Sequence, residues 1–253
     1  MKTRWGLFVL IFLGVLIANS VYAQTYVWKP YDNFNLGVID ANKWDIDDSS
    51  ATITIDNGRA KFVHNPGFDG DSAWLKIKKK ITNVWGIKAK IEFESCDFAN
   101  PDERDVRARV GANVGLEAAT LTNRVWSSLG LEPYYNNGDS PRLYGYINVW
   151  DTTQSPEVLV TDIFSGTFPR ENGEAPGDVI GIPFIIIEEW TAKSVKFTVV
   201  NEGKATYIYA GTYKVIPIKD PTKAFVGIGT VSASGAGTCT VYFDDVWVLR
   251  KQP

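Results

Sequence analysis

"ATITIDNGRAKFV", residues 51–63, reads as two short strands folded back at Asn57-Gly58. Both turn residues tolerate positive φ, which makes the pair a strong local hairpin signal. "SVKFTVVNEGKATYIYAG", residues 194–211, repeats the device with Asn201-Glu202-Gly203 at its turn. Outward from these hairpins, short alternating segments bounded by Gly, Asn, Asp and Pro recur at 73–79, 86–95, 105–117, 142–150, 157–164, 179–188, 224–231 and 239–249. Helical periodicity is not evident after the N-terminal segment. About a dozen strands in one chain predict an all-β sandwich of two packed sheets.

Alternation also assigns faces, because successive side chains on a strand point to opposite sides. "GIKAKIEFE", residues 86–94, sets Ile87, Ala89, Ile91 and Phe93 inward and Lys88, Lys90, Glu92 and Glu94 outward, an ordinary solvated face. "DVRARVGANVGLE", residues 105–117, sets Val106 through Leu116 on an apolar side and Arg107, Arg109 and Asn113 on the other. "PRLYGYINVW", residues 141–150, places Arg142, Tyr144, Tyr146, Asn148 and Trp150 on one face, with Leu143, Ile147 and Val149 opposite. Flat aromatic rings suit the CH-rich faces of sugars, and Arg and Asn can satisfy hydroxyls that lose water on binding. With Arg107, Arg109, Asn113 and Trp126 these residues predict one glycan-binding groove, if the strands at 105–117 and 142–150 are neighbours. The competing expectation packs Tyr144, Tyr146 and Trp150 under the long loops at 131–141 and 165–178 as a minor core.

Lys2 and Arg4 precede an uncharged run from Trp5 to Ala18 and a small-residue site ending Val21-Tyr22-Ala23. The pattern predicts a secretory signal over 1–23, a single domain over 24–253, and a secreted or periplasmic protein. The run is shorter than the roughly 20 residues a spanning helix needs, so no membrane span is expected in the mature chain. Without Lys2 and Arg4 the chain keeps 24 basic against 29 acidic residues, a formal charge of −5. That balance argues against nucleic acid as a partner. Lys76, Lys78, Lys79 and Lys80 read as a solvated strand edge that discourages sheet-to-sheet pairing. Cys96 and Cys239 admit either a disulfide or two buried thiols. The sole histidine, His64, reads as a structural hydrogen-bonding group, and one His with two Cys does not build the usual zinc site.

The order "YDNFNLGVIDANKWDI", "IDNGRAKFV", "WGIKAKIEF" and "VYFDDVWVLR" resembles the concanavalin A-like lectin/glucanase superfamily over about residues 31–250. The resemblance implies a jelly roll of two antiparallel sheets, one concave, whose hollow holds polysaccharide. It marks Trp44 as a structural tryptophan, and Trp28, Trp74, Trp85, Trp190 and Trp247 are expected in the core or at edges. It also implies a structural calcium ion near the first and last strands, with Asp244 or Asp245 and Asp32 or Asp40 as candidate ligands. The glucanase branch carries Glu-x-Asp-x-x-Glu on one strand, and that motif is absent here. The nearest string, Glu92 to Asp97, lies on the segment resembling a convex-side strand, and "NRVWSSLGLEPYY" at 123–135 offers Glu132 alone. For a lyase of the same fold, "YIYAGTYKV" at 207–215 faintly resembles a Tyr-rich strand and Arg107 and Arg109 could face a carboxylate, but no Gln-x-His element accompanies them. The expectation is therefore a secreted, non-catalytic glycan-binding protein with no catalytic residues. A polysaccharide hydrolase or lyase, and a structural or adhesive surface protein, are the alternatives.

Overall fold

A computed structural model of the chain describes residues 25–65, 71–78, 84–98, 109–119, 123–132, 142–156, 158–167, 179–191, 193–202, 206–214, 225–233 and 237–252. The signal segment over 1–23 and Arg107 lie outside the described residues, as do 133–141 and 168–178 of the long loops.

Fifteen strands are described: β1 (Tyr26–Asp32), β2 (Trp44–Asp47), β3 (Ala51–Asp56), β4 (Arg59–His64), β5 (Ser72–Ile77), β6 (Val84–Phe98), β7 (Arg109–Ala119), β8 (Asn123–Glu132), β9 (Arg142–Asp151), β10 (Val158–Thr167), β11 (Phe184–Trp190), β12 (Ser194–Asn201), β13 (Thr206–Lys214), β14 (Phe225–Ala233) and β15 (Gly237–Lys251). They form two antiparallel sheets. An eight-stranded sheet runs β13-β12-β11-β6-β15-β4-β3, with β1 also paired to β15. A seven-stranded sheet runs β10-β9-β8-β7-β14-β5-β2. The described residues contain no helix long and apolar enough to cross a membrane.

The hairpin at 51–63 forms as its sequence dictates: Asn57 and Gly58 take φ of 49° and 74°, and Ile53 pairs with Phe62 across β3 and β4. The inward rows of both sheets make one core, in which Phe62, Ile87, Ile91, Phe93, Phe184, Phe197 and Phe243 face Leu75, Val114, Val125, Leu129, Ile147 and Ile228. Trp44 stands in this core, stacked on Phe34 and donating its indole N–H to Asp32 over 2.7 Å. Asp32 also accepts from the Phe34 backbone N–H, which holds Phe34 at a left-handed φ of 55°. His64 is fully buried, with Nδ1 2.8 Å from the Thr230 hydroxyl of the other sheet, and burial pushes its pKa down to about 4. Cys96 and Cys239 face each other in register on β6 and β15 and are joined by a disulfide across 143 residues of sequence.

Three parts of the expected layout change. β8 intervenes between β7 and β9, so the strands at 105–117 and 142–150 are not neighbours. β5 is not an edge strand, because β2 pairs along it and Asp47 and Asp45 take Lys76 and Lys78 as ion-pair partners at 2.7 and 3.5 Å. β1, β2 and β8 are strands that alternation alone did not mark.

Candidate ligand-binding face

β8 sorts its side chains by what the sandwich requires. Val125, Ser127, Leu129 and Leu131 point to the core and are fully buried, so Arg124, Trp126, Ser128 and Gly130 belong to the outward face. The two strands expected to be neighbours instead flank β8, and β7, β8 and β9 are in register. Glu117, Trp126 and Asn148 share one row, Gly115, Ser128 and Tyr146 the next, and Asn113, Gly130 and Tyr144 a third. Arg124 opposes Trp150, with its guanidinium carbon 5.6 Å from the ring centre, a cation–π contact.

Tyr146, Asn148 and Trp150 are each partly exposed on this face. Arg109, Asn113, Arg142 and Tyr144 take register positions within the same three strands, with Arg109 opposite Ala233 and Arg142 opposite Glu132. Ser128 is used internally, donating to the Val114 carbonyl over 3.2 Å. The Asn148 side-chain oxygen is buried and has no hydrogen-bond partner among the described residues. A buried amide oxygen without a donor costs about 1–3 kcal/mol.

Trp74, expected in the core or at an edge, is buried, but on the outer side of its sheet. Ala73 and Leu75 of β5 face the core, which puts Trp74 on the outward side with Lys76. Its ring crosses β14 above Gly229 and meets Trp126 edge-on at 5.9 Å and 84°. Glycine is required at 229, because a Cβ there would fall 2.5 Å from the Trp74 ring and 2.3 Å from the Ala73 carbonyl oxygen. Gly229→Ala is therefore expected to push Trp74 off the face and lower stability by about 1–3 kcal/mol, visible in a thermal melt and in near-ultraviolet circular dichroism. An unchanged aromatic signal would show that Trp74 does not depend on that space.

Among the other tryptophans, Trp44, Trp85 and Trp190 belong to the core, whereas Trp28 and Trp247 lie on the outward side of the eight-stranded sheet. Glu92 and Glu94 stand on that same sheet, ion-paired to Arg59 at 2.9 Å and Lys61 at 3.7 Å, away from the face with Trp126. Two of the residues implied for calcium are engaged within the protein. Asp32 accepts from Trp44 and Phe34 and has the Lys43 ammonium at 3.4 Å, so both its oxygens are engaged. Asp244 accepts from the Asp245 backbone N–H at an irregularity in β15, where burial pushes its pKa up. No group of three or more metal-ligating side chains is gathered among the described residues.

No family model matches the chain, and no curated protein matches it. Solved structures do. A κ-carrageenase from Pseudoalteromonas carrageenovora, determined with an oligotetrasaccharide of κ-carrageenan, superposes with a TM-score of 0.55 at 11% identity, over 92% of this chain and 98% of that one. A non-specific endo-β-1,3(4)-glucanase of family GH16 gives 0.50 at 10% identity, over 90% and 92%. The lectin UEA-II, complexed with galactose, gives 0.46 at 9% identity, over 90% and 99%. At such identities the likeness is one of fold.

Proposed function

The chain has the concanavalin A-like jelly-roll fold, and from that scaffold we propose that it binds a glycan, without cleaving it, on the outward face of its seven-stranded sheet. Trp126, Tyr146, Asn148 and Trp150 carry the contact, with Arg124 and Trp74 beside them and the positions of Arg109, Asn113, Arg142 and Tyr144 extending it along the same strands. The observation that supports this reading best is the cluster of partly exposed side chains Trp126, Tyr146, Asn148 and Trp150, with Asn148 opposite Trp126 and between Tyr146 and Trp150 along its own strand. Aromatic rings lie against sugar CH groups while the amide takes a hydroxyl that would otherwise lose its water. The absence of Glu-x-Asp-x-x-Glu from the sequence favours binding over hydrolysis. The basic-then-apolar start of the chain and the disulfide support an exported protein.

The test is retention of residues 24–253 on a panel of insoluble and gel-forming polysaccharides, with supernatants assayed for reducing ends and unsaturated uronates. Retention without released product is expected. Trp126→Ala should weaken it at least tenfold, because covering a large apolar side chain contributes on the order of 1.5–3 kcal/mol. Released product would make the face catalytic, and equal retention of a folded Trp126→Ala variant would move the binding site elsewhere.

A further inference from the structure

The eight-stranded sheet has an outward face of its own, and one end of it is not the lysine–glutamate surface that β6 alone predicts. Trp247 of β15 stands directly opposite Lys88, and Trp28 of β1, Leu249 of β15 and Gly86 of β6 align in the next row. Gly86 leaves room for the Trp28 ring to lie over β6, since a Cβ there would come 3.2 Å from Trp28 Cη2 and 2.7 Å from the Glu188 carbonyl oxygen. The Lys88 ammonium consequently sits between two indoles, 5.0 Å from the Trp28 ring centre and 4.7 Å from that of Trp247. Both rings are partly exposed, and Ile185 and Ile187 of β11, also partly exposed, continue the apolar surface.

Charge separates Lys88 from its neighbours. Lys90 is paired with Glu202 at 2.7 Å, Lys196 with Glu189 at 3.1 Å and Arg59 with Glu92 at 2.9 Å. Among the described residues no carboxylate lies within ion-pair distance of Lys88. Glu189 and Asp245 reach it only through space, and burial lowers its pKa against their pull. A cation held between aromatic planes, with no carboxylate in ion-pair contact among the described residues, is complementary to a ring that has an apolar face and bears one acidic group. A polyphosphate is disfavoured by the single cation and the net negative chain.

We propose that Trp28, Lys88 and Trp247 form a second ligand site, on the sheet opposite the first, for a saccharide carrying a carboxylate or sulfate. The sugar ring lies against an indole and its acidic group meets the Lys88 ammonium. The site does not depend on the glycan reading of the other face.

Calorimetric titration of the full chain with an oligogalacturonate, a sulfated galactose oligosaccharide and a neutral oligosaccharide of equal length tests it, and the two acidic arms separate carboxylate from sulfate. At least one acidic sugar should bind, with affinity falling as salt rises. Lys88→Gln should weaken that binding at least tenfold, and Lys88→Arg should restore it to within about threefold of wild type. Trp247→Ala should match Lys88→Gln, and if Trp247→Ala does not fold, the lysine pair decides. Three results would overturn the site: no acidic sugar bound at millimolar concentration, Lys88→Gln binding as wild type does, or loss of acidic-sugar binding in Trp126→Ala while Lys88→Gln keeps it. Equal binding of an acidic oligopeptide would also overturn the assignment to saccharides.

Discussion

The double variant Cys96→Ala/Cys239→Ala should lose about 3–5 kcal/mol of folding stability. The bond closes a loop of 143 residues, which contains everything from the end of β6 to the start of β15. Constraining so long a segment removes conformations mainly from the unfolded chain, and the loop-entropy relation gives about 5 kcal/mol at 25 °C for this length. Native cross-links usually return somewhat less. In the folded state the two residues are already partners across adjacent strands, with Cys239 buried opposite His64, so the variant keeps its strand pairing. Alanine is preferable to serine because it buries no hydroxyl at 239. Urea unfolding should show a lower midpoint together with a steeper dependence on denaturant, because the uncrosslinked unfolded chain exposes more surface. Reduced wild type should behave like the variant. A loss below about 1 kcal/mol in both would mean that the unfolded chain stays compact without the bond.

How much of this could be read beforehand depended on whether a strand's pattern was set by its own residues or by its partners. The hairpin at Asn57-Gly58 and the inward row of β6 were legible because turn chemistry and period-two alternation are local. β8 was not. Ser127 and Leu129 both face the core, but a serine followed by Ser128 and Gly130 reads as a loop, and only Glu188 on the opposite sheet explains a hydroxyl in that position. Trp74 shows the same limit on the outward face of the seven-stranded sheet. Its own strand alternates plainly, with Ala73 and Leu75 inward, but the reach to Trp126 depends on a glycine of the neighbouring β14, nine strands later in the chain, at 229. Lys88 was correctly read as outward, whereas the indoles around it arrive from β1 and β15 and belong to no pattern in β6. Faces were legible within strands, and neighbours across strands were not.

Glu188→Gln should abolish an alkaline loss of stability that the wild-type protein shows. β11 turns Phe184, Ile186, Glu188 and Trp190 to the core, and all four are essentially without solvent contact. One Glu188 oxygen accepts from the Ser127 hydroxyl and from the Trp190 indole N–H at 2.6 Å, while the other has no partner among the described residues. Burial pushes the pKa up to about 8, and the two hydrogen bonds pull it only part of the way back. An unfolded glutamate titrates near 4.3, so between there and about 8 the unfolded chain has lost a proton that the native state keeps. Stability therefore falls by about 1.4 kcal/mol per pH unit through that window as pH rises. His64 acts with the opposite sign. Its native pKa of about 4 lies below the unfolded value near 6.5, so its contribution is lost as pH falls between those limits. The two slopes cancel between roughly pH 4.5 and 6.5, and the Glu188 slope alone remains from there to about 8, a decline of about 2 kcal/mol. Glutamine keeps both accepted bonds on its amide oxygen and does not ionise. Urea midpoints measured at intervals from pH 5 to 8.5 should be flat above 6.5 in Glu188→Gln and fall below it, where His64 is no longer opposed. A variant that still weakens between pH 6.5 and 8 would assign the alkaline loss to another group and leave Glu188 ionised in the core.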